Sequence, residues 1–307
     1  MNWDSEYVQR LVQTALEEDV GAGDATVLAT IPAKAMGKAR ILAREDIVCA
    51  GLPMAERVFL TLDPEMQIEQ RVQEGTVVLK GDVLLHLKGK ARAILTGERA
   101  SLNFLGRLCG IATLVRQFVE KVAGTRARIR DTRKTTPGLR LLEKYAVKTG
   151  GGTNHRIGLY DAILLKENHI ALAGGVKAAL DQANAYAALH TKPNALTAYE
   201  EAIPERATNT VLPIQIEVRD ERELHEALSA GVESVLLDNM TPAEAKQCVT
   251  IARSLQPECI IEISGGITLE NVRAYAETGA DFLSSGTLTH SAPAANLSTL
   301  VDSIEDK

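Results

Sequence analysis

From residue 214 onward, short apolar runs alternate with amphipathic stretches. IQIEV (214–218), SVLLDNM (234–240), CIIEISGG (259–266) and ADFLSSG (280–286) read as strands. The segments between them carry helix punctuation. Asp220 and Glu223 stand in capping-box spacing ahead of ERELHEALSA, and Gly231 closes that stretch. Thr241 precedes Pro242, which is welcome at a first helical position, and a further helix is predicted from about Thr268 to Gly279. Apolar strands separated by helices predict an α/β fold with a buried parallel sheet, open or closed into a barrel. RARIRDTRK (126–134) and DAILLKENH (161–169) look like earlier strands of the same sheet.

The first 120 residues have another texture. ARILAREDIVCAGL, MQIEQRV and TVVLKGDVLLHLKGKARAIL read as strands parted by Gly75, Gly81 and Gly89, without helical alternation. This predicts an antiparallel α+β unit. A long helix follows from about Thr96 to Ala123. Leu102, Leu105, Leu108, Ile111, Val115, Phe118 and Val122 recur at three-to-four spacing, so one stripe should be buried. Residues 191–212 break the pattern and read as a surface insertion.

Composition narrows the class. Of 307 residues, 45% are hydrophobic and 24% charged, which excludes a disordered chain or a small disulfide-stapled scaffold. No apolar run is long enough to cross a bilayer, and the N-terminus lacks the basic-then-apolar pattern of a secretory signal, so the cytoplasm is expected. Cys49, Cys109, Cys248 and Cys259 form no CxxC pair, and buried reduced thiols are expected rather than a zinc site.

The net charge of −6 conceals a division. Residues 126–169 hold ten Lys/Arg against four acids and carry +6, leaving −12 on the rest. A basic stretch raises nucleic-acid binding. Against it, the cations are interleaved with Gly, Thr and Pro, and aromatics make up 4% of the chain. A small, multiply charged anion suits a focused pocket in an acidic protein better.

In parallel α/β folds the working residues lie at the carboxyl ends of strands. Here those ends are Asp131–Lys134, Lys166, Glu217, Asp238, Ser264–Gly266 and Ser285–Gly286. The glycine-serine segments suit a phosphate monoester, held by backbone N–H groups and a helix dipole, although either alone reads equally as a tight turn. Glu217 and Asp238, on adjacent strands, could share a divalent cation or hold ribose hydroxyls, or be simple solvated or Lys-paired acids. Arg133, Lys134, Arg156 and Lys166, with His155, form a cationic arc that would repel itself unless an anion separates its members. His155 and His169 taken singly read as structural histidines. There is no nucleophile-elbow serine or cysteine, and Gly150–Gly152 fits neither a Walker loop nor a dinucleotide fingerprint.

DTRKTTPGLRLLEKYAVKTGGGTNHRIGLYDAILLKENHI (131–170) resembles the signature block of the quinolinate phosphoribosyltransferases. The likeness continues through ALEEDVGAGDAT (15–26), LTGERASLNFLGRLCGIAT (95–113), 216–240 and 262–291. It implies phosphoribosyl transfer from phosphoribosyl pyrophosphate to quinolinate with decarboxylation, giving nicotinate mononucleotide, pyrophosphate and CO2. Mg2+ would be required and no organic cofactor. The implied fold is an N-terminal α/β sandwich domain over residues 1–112, rejoined by the tail 290–307, and an open α/β barrel over 113–289. A homodimer or a larger assembly such as a hexamer is implied, with Arg99 entering the neighbour's site; no nucleic acid or membrane is implied as partner. Arg133, Lys134, His155, Arg156 and Lys166 would contact the quinolinate carboxylates and the pyrophosphate, and Thr132 would also bind substrate. Glu217 and Asp238 would hold ribose hydroxyls and metal. Ser264, Gly265, Gly266, Ser285, Gly286 and Thr287 would take the 5′-phosphate. Lys134, Lys166, Glu217 and Asp238 would carry catalysis.

The chain departs from the family pattern at Cys109, where serine is usual, and at Ser285, where an apolar residue is commoner. Neither departure removes a cation. The competing readings are a relative acting on another aromatic acid and a catalytically silent metabolite binder, with a nucleic-acid binder further behind.

Overall fold

The computed structural model describes residues 1–190 and 212–305. The expected insertion at 191–212 therefore lies, but for Leu212, outside the described residues. Strands are numbered in chain order. β1 (Met36–Ala43), β3 (Gln67–Gln70), β5 (Val83–Lys90) and β12 (Leu297–Glu305) form an antiparallel sheet in the order β12-β1-β5-β3. β12 runs beside β1 from Met36↔Glu305 to Ala43↔Leu297, with one bulge between Lys38 and Ala39, so the end of the chain completes the sheet near its beginning. β2 (Ile47–Val48) and β4 (Val77–Val78) make a small separate pair.

The second sheet is wholly parallel. β6 (Arg128–Arg130), β7 (Ile163–Leu165), β8 (Ile214–Val218), β9 (Ser234–Asp238), β10 (Ile260–Ser264) and β11 (Phe282–Ser284) stand in the order β6-β11-β10-β9-β8-β7. Sequential strands are neighbours from β7 to β11, and the first, β6, returns beside the last. No ladder joins β6 to β7 among the described residues. All six strand ends nevertheless face one cavity, the arrangement of an open barrel rather than a flat sheet.

The Ala91–Lys121 helix links the two sheets. Leu102, Leu105 and Cys109 pack into the core under the antiparallel sheet, while Leu108, Ile111, Val115 and Phe118 enter the barrel core. Each aliphatic chain removed from water contributes about 1.5–3 kcal/mol, so this helix ties both cores to one rod. The tail crosses it: Ala295 N–H donates to Gly106 C=O at 2.8 Å, and Arg107 Nη1 to Ala292 C=O at 3.1 Å.

Two boundaries differ from expectation. ARAIL (91–95), read as strand, is the first turn of the long helix. Its N-cap, Lys90, makes no side-chain cap bond, so no Ser, Thr or Asp signalled the start. The helix expected over 268–279 spans only Val272–Ala276. Asn271 Oδ1 accepts from Thr268 N–H at 2.8 Å and Asn271 Nδ2 donates to Gly266 C=O at 2.9 Å, a side-chain-locked turn that competes with the helix. Elsewhere the punctuation is as read. Asp220 accepts from Glu223 N–H, Thr241 and Glu244 close a full capping box, and Gly231 takes φ +74°.

Candidate active site

Side chains alternate along a strand, so residues two apart share a face. Gln215 and Glu217, Leu236 and Asp238, Glu262 and Ser264 therefore point into the barrel, while Ile216, Leu237 and Ile263 are buried against the outer helices. The inward set meets the loops at the strand ends around a cavity of about 640 Å³. Thr132, Arg133, Lys134, His155, Arg156, Lys166, Glu217, Asp238, Ser264, Gly265, Gly266, Ser285, Gly286 and Thr287 all line it. Arg99 does not. It lies exposed on the long helix, outside the cavity of its own chain.

The cations are held from behind. Arg140 donates to Thr135 Oγ1 at 3.0 Å and to the carbonyls of Ile157 and Arg133, drawing the loops 133–136 and 156–157 together. Thr289 Oγ1 donates to Lys134 C=O at 2.7 Å. The Asp161 carboxylate accepts from Ile157 and Gly158 N–H at 2.8 and 2.9 Å, fixing the turn after Arg156. Arg156 Nη1 reaches Ala162 C=O at 3.0 Å. Burial first, and then the neighbouring Arg133, pull the Arg156 guanidinium below its ordinary pKa, opposed by Asp161. Lys166 pairs with Glu217. Arg133, Lys134 and Arg156 form no ion pair with a carboxylate among the described residues.

Below the rim lies a polar floor that sequence reading missed. Glu262, fully buried, accepts from Arg130 Nη1 at 2.7 Å, from Gln215 Nε2 at 3.1 Å and from Ser284 Oγ. Burial opposes its charge, but Arg130 and the hydrogen bonds from Ser284 and Gln215 help hold its carboxyl below the usual range. Phe282 stacks under Arg130, whose guanidinium carbon lies 3.3 Å from the ring centroid. His155 sits above this floor. Arg156 N–H donates to its Nδ1 at 2.7 Å, and its Nε2 faces Gln215 Oε1 at 3.1 Å and Glu262 Oε1 at 3.6 Å. Burial drives its pKa down, and the bonds fit the neutral tautomer with the proton on Nε2. His169 is a helix cap, taking the Lys166 N–H on Nδ1 at 3.0 Å.

The two glycine-bearing ends come close to their neighbours. A Cβ on Gly265 (φ +96°) would lie 2.8 Å from Asn239 N and 2.3 Å from its Oδ1. Asn239 itself takes φ +54° and donates to Ser264 C=O. A Cβ on Gly286 would meet Lys134 Cδ at 2.8 Å and the His290 ring at 3.0 Å. Ser285 Oγ donates to Ile267 C=O and lies 2.6 Å from Thr287 Oγ1, so these hydroxyls stitch the two loops to each other. The segment after Gly266 runs into a turn and not directly into a helix, so the expected dipole contribution there is replaced by backbone alone.

Family models decide the kinship. The quinolinate phosphoribosyl transferase N-terminal domain matches residues 24–141, and the C-terminal domain matches 111–192 and 184–299. The chain belongs to the quinolinate phosphoribosyltransferase family. It is 40% identical over 287 residues to a probable nicotinate-nucleotide pyrophosphorylase [carboxylating] of Synechocystis, covering 94% of this chain and 90% of that one. The nicotinate-nucleotide pyrophosphorylase [carboxylating] of Mycobacterium leprae is 39% identical, with 91% and 92% covered. The crystal structure of NadC from Streptococcus pyogenes superposes with a TM-score of 0.85 at 36% identity, covering 97% of this chain and 96% of the other. The open barrel and antiparallel sheet of this chain are thus those of a quinolinate phosphoribosyltransferase.

Proposed function

We propose that this chain transfers the phosphoribosyl group of phosphoribosyl pyrophosphate to quinolinate, releasing pyrophosphate and CO2 and leaving nicotinate mononucleotide for NAD synthesis. The observation that carries this reading is the set of cations without carboxylate partners among the described residues in one cavity: Arg133, Lys134 and Arg156, with Lys166 beside them. Burial and the neighbouring Arg133 both disfavour the charge on Arg156, so this concave site suits a multiply charged anion, and both substrates are such anions.

Arg133 and Arg156 hold the aromatic dicarboxylate, with Thr132 and His155 walling its ring side. Lys134, beside Gly286, and Lys166 face the phosphates. The backbone at Ser264–Gly266 and Ser285–Thr287 takes the 5′-phosphate. Glu217 and Asp238 hold ribose hydroxyls, and the pairing of Glu217 with Lys166 holds that lysine in place. The pyridine nitrogen attacks the anomeric carbon as pyrophosphate departs, so catalysis is chiefly fixed positive charge where negative charge develops. The 2-carboxylate then leaves as CO2, because the cationic ring nitrogen stabilises the carbanion beside it until it takes a proton. No covalent enzyme intermediate is required.

The residues suit Mg2+ that arrives with the donor. Glu217 and Asp238 lie on neighbouring strands, and no group of three His, Cys, Asp or Glu forms a protein-only cage among the described residues. When bound with the donor, Mg2+ supplies charge neutralisation to the departing pyrophosphate.

Exposed Arg99 supports a dimeric or larger assembly in which it completes a neighbour's site, and the tail pairing β12 with β1 supports grouping 290–307 with residues 1–112, apart from a catalytic unit over 113–289. Four buried free cysteines favour the cytoplasm. The test is turnover with phosphoribosyl pyrophosphate and Mg2+, offering quinolinate and nicotinate separately. Product from quinolinate alone is expected; product from nicotinate, or from neither, overturns the substrate assignment.

A further inference from the structure

Asp131 and Lys144 are both fully buried, 2.5 Å apart, and neither lines the cavity. A buried ion pair is a poor way to gain stability, since desolvation of two charges cancels much of their attraction. Its other contacts suggest what it is for. Asp131 Oδ1 also accepts the N–H of His155 at 2.7 Å, and Lys144 Nζ also donates to the C=O of His155 at 3.2 Å. The pair therefore grips both backbone polar groups of one residue. Asp131 stands just beyond β6, Lys144 on the Arg140–Thr149 helix, and His155 on the segment that runs along the free edge of β6 through the Arg130↔Thr153 bridge. Asn154 adds a further tie, donating from Nδ2 to Lys144 C=O at 3.1 Å.

What is gripped matters because His155 positions the next residue. Its Nδ1 accepts the backbone N–H of Arg156, and Arg156 enters the cavity from there. No hydrophobic pair of equal volume could hold the peptide at 155, since it would offer neither acceptor nor donor.

We infer that Asp131 and Lys144 are positioning residues that fix the His155–Arg156 step and so set the affinity of the site for the aromatic dicarboxylate, while leaving the phosphoribosyl side untouched. This inference rests on the assignment of Arg156 to that substrate made above. The pair touches no substrate. Its effect is transmitted through one peptide, and a displacement there of the order of an ångström is costly to binding geometry.

Two double variants test it, each removing both charges so that no lone ion is left buried. Asp131→Leu with Lys144→Met releases both contacts to His155. Asp131→Asn with Lys144→Met keeps the acceptor for its N–H. The first is expected to raise KM for quinolinate by about ten- to a hundredfold, with KM for phosphoribosyl pyrophosphate changed less than about twofold. The second should fall between it and the parent. An unchanged quinolinate KM in the folded Leu/Met protein, or equal rises in both KM values, overturns the inference.

If the Leu/Met protein does not fold, the Asn/Met protein carries the same split, and amide hydrogen exchange decides on the parent protein. Protection of the His155 N–H comparable to the barrel strands supports the clamp, and loop-like exchange overturns it. Should the parent fail to use quinolinate at all, the functional assignment falls, whereas the exchange experiment still reads the clamp.

Discussion

The backbone N–H of Arg156 donates to Nδ1 of His155 across 2.7 Å, which leaves the imidazole proton on Nε2, toward Gln215. A protonated ring would have to donate from Nδ1 and could not accept that bond. Burial and the nearby Arg130 and Lys144 act in the same direction and outweigh the attraction of Glu262. In the unfolded chain the ring titrates near its ordinary value of 6.5, and in the fold it titrates lower. Below 6.5 the unfolded state therefore binds a proton that the folded state does not, and stability falls with pH through that window until the folded value is reached. Urea unfolding between pH 7.5 and 5 should show this decline in the parent and a flatter profile in His155→Gln. Identical slopes would show that His155 is not held neutral.

Much of this arrangement was legible in the chain, and its limits have physical causes. Strand ends could be read because an apolar run stopping at Lys166, Glu217 or Asp238 marks where a buried strand reaches solvent. Glu262 is legible in principle: it stands two residues before Ser264 and so shares its inward face, yet inside CIIEISGG it reads as part of the apolar run. Lys144 offered no signal. In RLLEKYAVKT it reads as one cation on the polar side of an amphipathic helix, and only the tertiary approach of β6 buries it. The early helix start at Ala91 was hidden for a local reason, the lack of a capping side chain at Lys90.

Gly286 has no room for a side chain beside Lys134. The Gly286→Ala methyl must displace either the lysine stem or the His290 ring, both flexible, so the fold should survive. Turnover is expected to drop by about ten- to a hundredfold, because Lys134 is moved from the phosphates. Gly265→Ala meets backbone instead, at φ +96°, and should cost about 1–3 kcal/mol of stability as well. Thermal denaturation beside steady-state kinetics separates the two; equal losses of melting temperature would contradict the geometry.

Removing a cation should abolish chemistry without unfolding. Arg133→Ala and Lys134→Ala each delete a charge that has no ion-pair partner among the described residues, so no buried carboxylate is orphaned. Losses in kcat/KM on the order of 10² to 10³ are expected with near-parent circular dichroism. Near-normal activity in a folded variant would remove these residues from the roles given them.

Glu262→Gln has the opposite profile. Arg130 loses the buried carboxylate it donates to, and breaking such a pair on one side costs about 3–5 kcal/mol. The chemical denaturation midpoint should fall accordingly, and a change under about 1 kcal/mol would show that the floor network contributes little.

Arg99 invites a mixing experiment. Arg99→Ala and Lys134→Ala proteins, each inactive, are unfolded together and refolded. If Arg99 serves a neighbour's site, random pairing restores about a quarter of parental sites. No recovery would place Arg99 outside the partner's chemistry.

The central claim is that one cavity performs both transfer and decarboxylation on quinolinate. Quinolinate labelled in its 2-carboxylate, supplied with phosphoribosyl pyrophosphate and Mg2+, should release labelled CO2 in one-to-one ratio with pyrophosphate, while label in the 3-carboxylate stays in the nucleotide. Pyrophosphate released without labelled CO2, or no release from quinolinate at all, would contradict the account.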